Sequence, residues 1–159
     1  MDSYAEKLQM AIATEKIDCV QCFYEEDVSN SESCRHVLGV SLTGIIKTII
    51  MLNEERKAFA FVLRGDCRID RKLLKKELHS KDFRLATPEQ ILEITGYPLG
   101  GVPPFGYTAE FIIDGRLLEE QNTKFYAGGG STNTLIKITP LEIIKVTKAK
   151  VSSFSKPFS

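Results

Sequence analysis

The sequence predicts a single α+β domain in which helices surround a mixed, mostly antiparallel and barrel-like β-sheet. Its strand candidates are short runs rich in Ile, Val and Phe, and most neighbours are joined by turns too short for a parallel crossover. Helix start signals lie between these runs, so the two element types are interleaved. The length of 159 residues, with 43% apolar and 26% charged residues, is typical of one globular domain spanning 1–159.

The first half of the chain alternates helices and strands. Its predicted elements are a helix over 3–16, a strand over 17–24, a helix over 31–38, and a hairpin of strands 44–52 and 57–64. Ser3-x-x-Glu6 is a capping box that begins the first helix. Gly39 ends the second helix, because glycine adopts the left-handed conformation that closes a helix. The hairpin strands are rich in Ile, Val and Phe and flank the polar turn 53–56.

The second half carries repeated helix start signals. Its predicted elements are a helix over 71–78, a strand over 83–86, a helix over 88–94, strands over 107–114, 124–127 and 134–138, and a last helix from 140. Asp70 is the expected N-cap of the first of these helices. Thr87-Pro88 and Thr139-Pro140 each join a capping side chain to a proline in the first turn. The Lys- and Ser-rich tail is assigned no element.

The charge balance excludes two classes of protein. Lys and Arg number 21 and so do Asp and Glu, so the chain as a whole is neither a strongly basic nucleic-acid-binding domain nor an acidic tail protein. The charges are nevertheless unevenly distributed: residues 1–34 are net −6 and residues 35–84 are net +6. A neutral protein with this distribution can still carry a basic face.

The sequence predicts both the cellular compartment and the redox state of the cysteines. No apolar run approaches the roughly 18 residues of a membrane span, and the polar N-terminus lacks the pattern of a secretory signal, which predicts a cytoplasmic protein with reduced thiols.

Cys19 and Cys22 form a C-x-x-C, a spacing found in redox and zinc sites. In the predicted strand, positions three apart point to opposite faces, so ordinary buried thiols are the favoured interpretation. We expect no metal and no cofactor.

Lys47 is the first candidate functional residue. Strand 44–52 is apolar on both faces, which indicates a central strand covered on both sides. Lys47 interrupts the face that carries Ile45, Ile49 and Met51. Its ammonium either reaches solvent from the start of the strand or holds an anion inside a pocket.

Two glycine-rich segments are the second candidate. Residues 96–106 read GYPLGGVPPFG, which combines rigid prolines with glycines whose N–H groups are unobstructed. Such a loop either aims backbone amides at a carbonyl or phosphate, or is an elaborate turn over the end of the sheet. Gly128-Gly129-Gly130-Ser131 follows a strand and is expected to line the same cavity. No nucleophile with an adjacent base is evident, so an enzyme of this sequence would depend on positioning and backbone dipoles.

These residues resemble the YbaK/ProX-type aminoacyl-tRNA deacylases, free-standing relatives of the editing domain inserted in bacterial prolyl-tRNA synthetases. The matching pieces are V-L-G-V at 37–40, I-K-T at 46–48, G-Y-P-L-G-G-V-P-P-F-G at 96–106 and F-Y-A-G-G-G at 125–130. They lie within roughly residues 5–148. The K-T pair followed some fifty residues later by the glycine–proline loop is the specific part of the match.

The resemblance implies a trans-editing hydrolase that cleaves the ester of a mischarged tRNA, such as Cys-tRNA(Pro) or Ala-tRNA(Pro). It implies that Lys47 contacts the terminal nucleotide, and that the loop from Gly100 to Pro104 offers amides to the carbonyl, with Gly100 most closely tied to activity. The other substrate-binding positions that it implies are Tyr24, Gly101, Pro104, Gly106, Gly129, Gly130 and Ser131. The resemblance also implies that no metal is used and that a ribose hydroxyl of the substrate helps to activate water.

The implied partners are a mischarged tRNA, held at its acceptor end, and as a further candidate an aminoacyl-tRNA synthetase; no membrane is implied. Two positions depart from relatives with cysteinyl specificity, because Asn30 stands where those carry an aromatic residue and Leu135 where they carry an acid. The amino acid removed is therefore left open. The alternative function is a non-catalytic module that binds an aminoacyl-nucleotide or a synthetase. The basic segment 68–76 is either an ordinary solvated helix face or a contact for the tRNA backbone, and the sequence leaves both interpretations open.

Overall fold

The structure is a computed structural model that describes residues 2–80 and 82–158. The α-helices are α1 Ser3–Glu15, α2 Ser31–Leu38, α3 Arg71–Leu78, α4 Pro88–Thr95 and α5 Pro140–Thr147. The strands are β1 Val20–Phe23, β2 Ile46–Asn53, β3 Ala58–Arg64, β4 Cys67–Ile69, β5 Phe83–Leu85, β6 Glu110–Asp114, β7 Phe125–Gly128, β8 Thr134–Ile138, β9 Lys150–Ser152 and β10 Ser155–Pro157. Short 3-10 helices span Leu42–Gly44 and Gly115–Glu120.

The strands form three sheets. The largest has the order β5-β2-β3-β6-β9, in which β2 pairs antiparallel with β3 and β5, and β6 and β9 are added in parallel. A second, antiparallel sheet has the order β1-β8-β7, and β4 and β10 form an antiparallel ribbon. The α+β class and the mixed, mostly antiparallel pairing are therefore confirmed. Over the described residues no sheet closes into a barrel, although the bridge between Ile45 and Tyr126 joins the first two sheets.

The five-stranded sheet separates two apolar cores because side chains alternate along each strand. One core takes Ile46 and Ile50 from β2, Ala60 and Val62 from β3, and Phe111 and Ile113 from β6. The other takes Met51, Phe59, Phe61, Leu63 and Ile112. Helices α1, α4 and α5 and the three-stranded sheet pack on the first side, while α3 and the β4–β10 ribbon pack on the second.

Most of the predicted helix caps are found. Asp70 accepts the N–H groups of Lys72 and Leu73 at the start of α3. Thr87 forms a capping box with Gln90 at α4, where Pro88 occupies the first turn. The cap of α1 is a correction: Asp2, not Ser3, accepts the Ala5 N–H at 2.9 Å, so the helix begins at Ser3, one residue earlier than a Ser3 cap would allow.

The remaining differences concern short strands. β1 begins at Val20 rather than at 17, and β6 begins at Glu110 rather than at 107. β4, β9 and β10 were not predicted, because three residues are too few to show an alternating pattern and each depends on a distant partner. Among the described residues, no helix is both long enough and apolar enough to cross a membrane.

Candidate functional site

A cavity of about 230 Å³ lies on the first side of the five-stranded sheet. Its floor is the apolar cluster of Val28, Cys34, Ile45 and Leu135, and its polar rim comes from Ser29, Asn30 and Ser31 at the start of α2. Ile46, Thr48 and Ile50 of β2 form one wall, and Gly100, Val102 and Gly128 form another. Lys47 is the one charged residue among the described lining residues. The site therefore combines a small apolar floor with a polar rim and one lysine at its edge.

Gly100 stands in a tight turn at the mouth of this cavity. The Gly101 N–H donates to the Pro98 carbonyl at 2.9 Å, and Gly100 has φ +89°, which favours glycine at the third position of the turn. A Cβ at Gly100 would lie 2.6 Å from the Ser29 Cβ, so the position excludes any side chain. The Gly100 N–H has no partner among the described residues, so it remains available as a donor to an oxygen in the cavity.

Gly101 has a different role from its neighbour. Its N–H is already engaged by Pro98, and its carbonyl accepts the Gly130 N–H at 2.8 Å. A Cβ at Gly101 would lie 2.7 Å from the Gly130 oxygen, so the two glycine-rich segments pack backbone against backbone. Gly101 therefore stabilises the turn through its contacts with Pro98 and Gly130. Of the two glycines, only Gly100 keeps an N–H that is available to a ligand.

The second glycine cluster contributes mainly to this support. Gly128 lines the cavity, where an added Cβ would lie 2.1 Å from the Val102 oxygen. Gly129 donates to the Thr134 carbonyl at 3.0 Å, and Gly130, at φ +106°, packs against the backbone of α1. The buried Ser131 hydroxyl bonds with Asn133 and Thr134. The cavity lining therefore does not include Gly129, Gly130 or Ser131, whose contacts are with other parts of the protein.

Three further predicted positions also lie outside the lining. Tyr24 packs against the apolar floor, where burial raises its pKa to about 12. Pro104 is a buried residue of the glycine–proline loop, and Gly106 is exposed with φ +99°. Their assignment to substrate binding remains a prediction, as it does for Gly101, Gly129, Gly130 and Ser131.

Lys47 lies at the edge of the cavity, on a stretch of β2 that β5 leaves uncovered, since β5 pairs only from Met51 to Asn53. Its cross-strand partner is Leu63, so its side chain follows the second side of the sheet. The ammonium is 4.7 Å from the centroid of the Phe158 ring. Burial lowers the pKa of Lys47, and the nearby Cys67 and Asp66 partly oppose that shift. The lysine is thus half-buried and forms no ion pair with a described carboxylate.

The C-x-x-C thiols lie away from this cavity. Cys19 precedes β1 and Cys22 is within it, and both are free and half-buried. Burial, with Glu142 and Asp18 nearby, raises the pKa of Cys19 to about 12. Within the part of the chain that the structure describes, no three His, Cys, Asp or Glu side chains converge on one point.

Sequence reasoning about the chemistry missed part of the lining. Ser29 and Ser31 lie in or next to a polar loop with no periodicity, and Thr48 reads as an ordinary strand residue. Asn30 and Leu135, singled out only as departures from relatives, both line the cavity. Asn30 also caps α2, because its side chain accepts the Ser33 N–H at 2.8 Å. Thr48 is the last residue of the I-K-T segment at 46–48, and this motif was the available signal for it.

Comparison with known proteins adds independent information. A model of the aminoacyl-tRNA editing domain matches residues 25–146. The chain is 32% identical over 130 residues to the uncharacterized protein YwhH of Bacillus subtilis, covering 80% of this chain and 81% of that protein. It is 30% identical over 135 residues to the proline–tRNA ligase of Caldicellulosiruptor saccharolyticus, covering 85% of this chain but only 23% of the ligase.

Solved structures give the same picture. The hypothetical protein APE2540 superposes with a TM-score of 0.84 at 32% identity, covering 94% of this chain and 99% of that one. A protein proposed to be a trans-editing enzyme for prolyl-tRNA synthetase superposes with a TM-score of 0.83 at 25% identity, covering 98% and 99%. From the matched family model and these relatives, we conclude that the chain belongs to the aminoacyl-tRNA editing domain family.

Proposed function

We propose that this protein is a trans-editing hydrolase that cleaves the ester between a wrong amino acid and the terminal adenosine of a tRNA. The observation that carries the proposal is the Gly100 turn, whose free N–H stands at the mouth of a cavity of about 230 Å³ beside Lys47. Membership of the editing-domain family supports the same reaction class.

The proposed chemistry needs no nucleophilic side chain. Cys34 is the thiol in the cavity, and burial raises its pKa to about 11, so it is protonated at neutral pH and is a poor nucleophile. Water instead attacks the ester carbonyl, with the Gly100 amide stabilising the oxygen as it becomes negative. The bond from the carbonyl carbon to the ribose oxygen then breaks, and a proton passes from the attacking water to that ribose oxygen. Lys47 holds the acceptor end in place.

The cavity favours a small, uncharged amino-acid side chain. Its floor is apolar, and its described lining residues include no carboxylate that could neutralise a cationic side chain. Pockets of this kind are needed because one methylene group changes binding by only about 1–3 kcal/mol at a synthetase. We therefore propose alanyl- or cysteinyl-tRNA(Pro) as the substrate type. Asn30 in place of an aromatic residue and Leu135 in place of an acid are the two lining positions that set this chain apart from cysteinyl-specific relatives.

The test is a panel of tRNA(Pro) samples charged with Cys, Ala, Ser or Pro. We expect multiple-turnover release of one or more of the wrong amino acids. In Gly100→Ala the added Cβ cannot fit beside Ser29 and displaces the amide, so we expect about a 100-fold loss of rate, the scale found for losing one oxyanion donor. Gly39→Ala is the matched control, since Gly39 also has positive φ (+68°) but an added Cβ meets nothing within 4 Å.

Three outcomes separate the possibilities. Release by the wild type, lost in Gly100→Ala and Lys47→Ala but kept in Gly39→Ala, supports the hydrolase. Protection of the ester by stoichiometric protein identifies the non-catalytic binding module. A wild type that releases every amino acid no faster than Lys47→Ala does rules out the proposed hydrolase.

A further inference from the structure

An exposed aromatic ring lies beside Lys47. Phe158 is 59% exposed, yet its ring is held 4.7 Å from the Lys47 ammonium. The Phe158 N–H donates to the Asp66 carbonyl at 3.2 Å, and β10 immediately before it pairs with β4. A fixed aromatic ring next to a cation is the arrangement on which proteins stack the unpaired bases of single-stranded nucleic acids.

The ribbon that leads to this ring places two positive charges directly opposite each other. Lys156 of β10 pairs with Arg68 of β4, and both side chains are exposed. Like charges at opposed positions destabilise a β-ribbon, so the arrangement costs stability unless an anion lies between them. The Asp70 carboxylate, 3.9 Å from the Lys156 ammonium, is a weak counter-charge because it also caps α3.

The neighbouring charges extend the same surface. Lys72 is exposed in the first turn of α3, next to the ribbon. Arg71 donates to the Phe83 carbonyl at 2.6 Å, and is therefore committed to the fold. Asp66, whose carbonyl accepts the Phe158 N–H, has its carboxylate paired with Arg64 at 2.6 Å. Arg68, Lys72 and Lys156 thus remain as the positive groups that face outward.

The geometry aligns these groups with the cavity. The ribbon register runs from the Ser155–Ile69 pair through Lys156–Arg68 to Pro157–Cys67, and Phe158 follows beside Asp66. Two residues of strand advance about 7 Å, so the ring lies roughly that far beyond the basic pair. Lys47 and the uncovered edge of β2 come next. The order along this surface is therefore positive pair, aromatic ring and lysine, and Lys47 also belongs to the lining of the cavity on the first side of the sheet.

We propose that the β4–β10 ribbon and Phe158 form the track along which the acceptor strand of tRNA reaches the cavity. Arg68 and Lys156 bind phosphates of the unpaired 3′ end, and the terminal adenine stacks on the exposed part of the Phe158 ring. The terminal ribose then lies at Lys47 with its ester directed to the Gly100 turn. This inference rests on the proposed function, because it assigns the binding surface of that same site.

The stacking step is tested with Phe158→Leu and Phe158→Tyr. The probe is uncharged tRNA(Pro) carrying 2-aminopurine at its 3′ terminus, whose emission reports stacking. We expect a change of emission on binding to wild type and to Phe158→Tyr, and its loss in Phe158→Leu with about tenfold weaker affinity. An unchanged signal in Phe158→Leu refutes the stacking. So does faster deacylation by that variant, which would mean that Phe158 shields Lys47 from substrate.

The phosphate contacts are tested with the double variant Arg68→Gln, Lys156→Gln. Binding of the same tRNA is measured at several salt concentrations, and the slope of log affinity against log salt is expected to fall by about 1.5, since each contact to a single strand contributes about 0.7. The matched control is Lys145→Gln, Lys148→Gln, at the last turn and the C-cap of α5, which removes two exposed charges from the other side of the sheet. Equal slopes for both double variants refute the track.

The two proposals fail in distinguishable ways. If the wild type hydrolyses no charged tRNA, the proposed function has failed whatever the variants do. If the wild type hydrolyses one, while both the ribbon variant and Phe158→Leu match its affinity, salt slope and KM, only the track has failed.

Discussion

Lys47 shows most clearly how one residue couples the fold to the proposed activity. Burial lowers its pKa because an ammonium loses hydration, while the Phe158 ring favours the charged form. The folded protein therefore releases this proton at lower pH than the unfolded chain. Consequently the free energy of unfolding increases with pH between the lowered pKa and the ordinary value of 10.5. Burying this ammonium disfavours its charged form, and a bound anion would offset that loss, which fits a role in anion binding.

The titration of Lys47 provides a direct prediction. With ¹³C-labelled lysine, the Cε resonance that disappears in Lys47→Arg is expected to titrate with a midpoint below 10.5 and below those of the exposed lysines. Phe158→Leu is expected to lower that midpoint further, because the ring no longer stabilises the ammonium. A midpoint shared with the surface lysines, or one raised by Phe158→Leu, would contradict this account.

Individual residues also mark where sequence reasoning reached its limit. Lys47 and Gly100 were identifiable because an ammonium in an apolar strand and a glycine–proline loop are both unusual. Gly101 and Gly130 belong to the same patterns but pack against each other instead of lining the cavity. A sequence shows that a glycine is present, but does not show whether a ligand or another backbone occupies the space beside it.

Among the secondary-structure elements, α1 has two candidate N-caps, Asp2 and Ser3. The structure caps the helix with Asp2, whereas the S-x-x-E pattern predicts Ser3. Asp2→Ala is expected to lower the free energy of unfolding by about 1 kcal/mol, the usual value of an N-cap. Ser3→Ala, one residue inside the helix, is expected to change it by a few tenths of a kcal/mol at most.

Urea unfolding at pH 7 measures this difference. The pair serves as its own control, since each variant removes one polar side chain from adjacent positions. A larger loss in Ser3→Ala than in Asp2→Ala would favour the capping box over the cap seen in the structure.

Helices and the central hairpin were predictable because their signals are local. The Thr87 and Thr139 caps and the alternation in β2 and β3 each lie within a few residues of the element they define. The β4–β10 ribbon was not predictable, because its three-residue strands pair across almost ninety positions of the chain. The α2 rim was missed for the same reason, since the fold alone brings its polar residues to β2.

For the whole molecule, zero net charge and a local basic surface together predict moderate tRNA affinity. The affinity of the wild type for tRNA(Pro) is expected to weaken about tenfold between 50 and 200 mM salt, as two or three phosphate contacts would give. Fluorescence anisotropy with labelled tRNA measures this directly. Equal affinity at both salt concentrations would contradict a binding mode based on phosphate contacts.

The way the cavity is assembled has a consequence for biosynthesis. Its lining comes from α2, β2, the Gly100 turn and β8, and the ring beside Lys47 comes from position 158. A nascent chain therefore cannot complete this site until residue 158 has left the ribosome. Contacts between distant segments also form slowly, because loop closure precedes them. Recovery of tRNA binding during refolding should accordingly follow the last kinetic phase, well after the central hairpin is protected from hydrogen exchange.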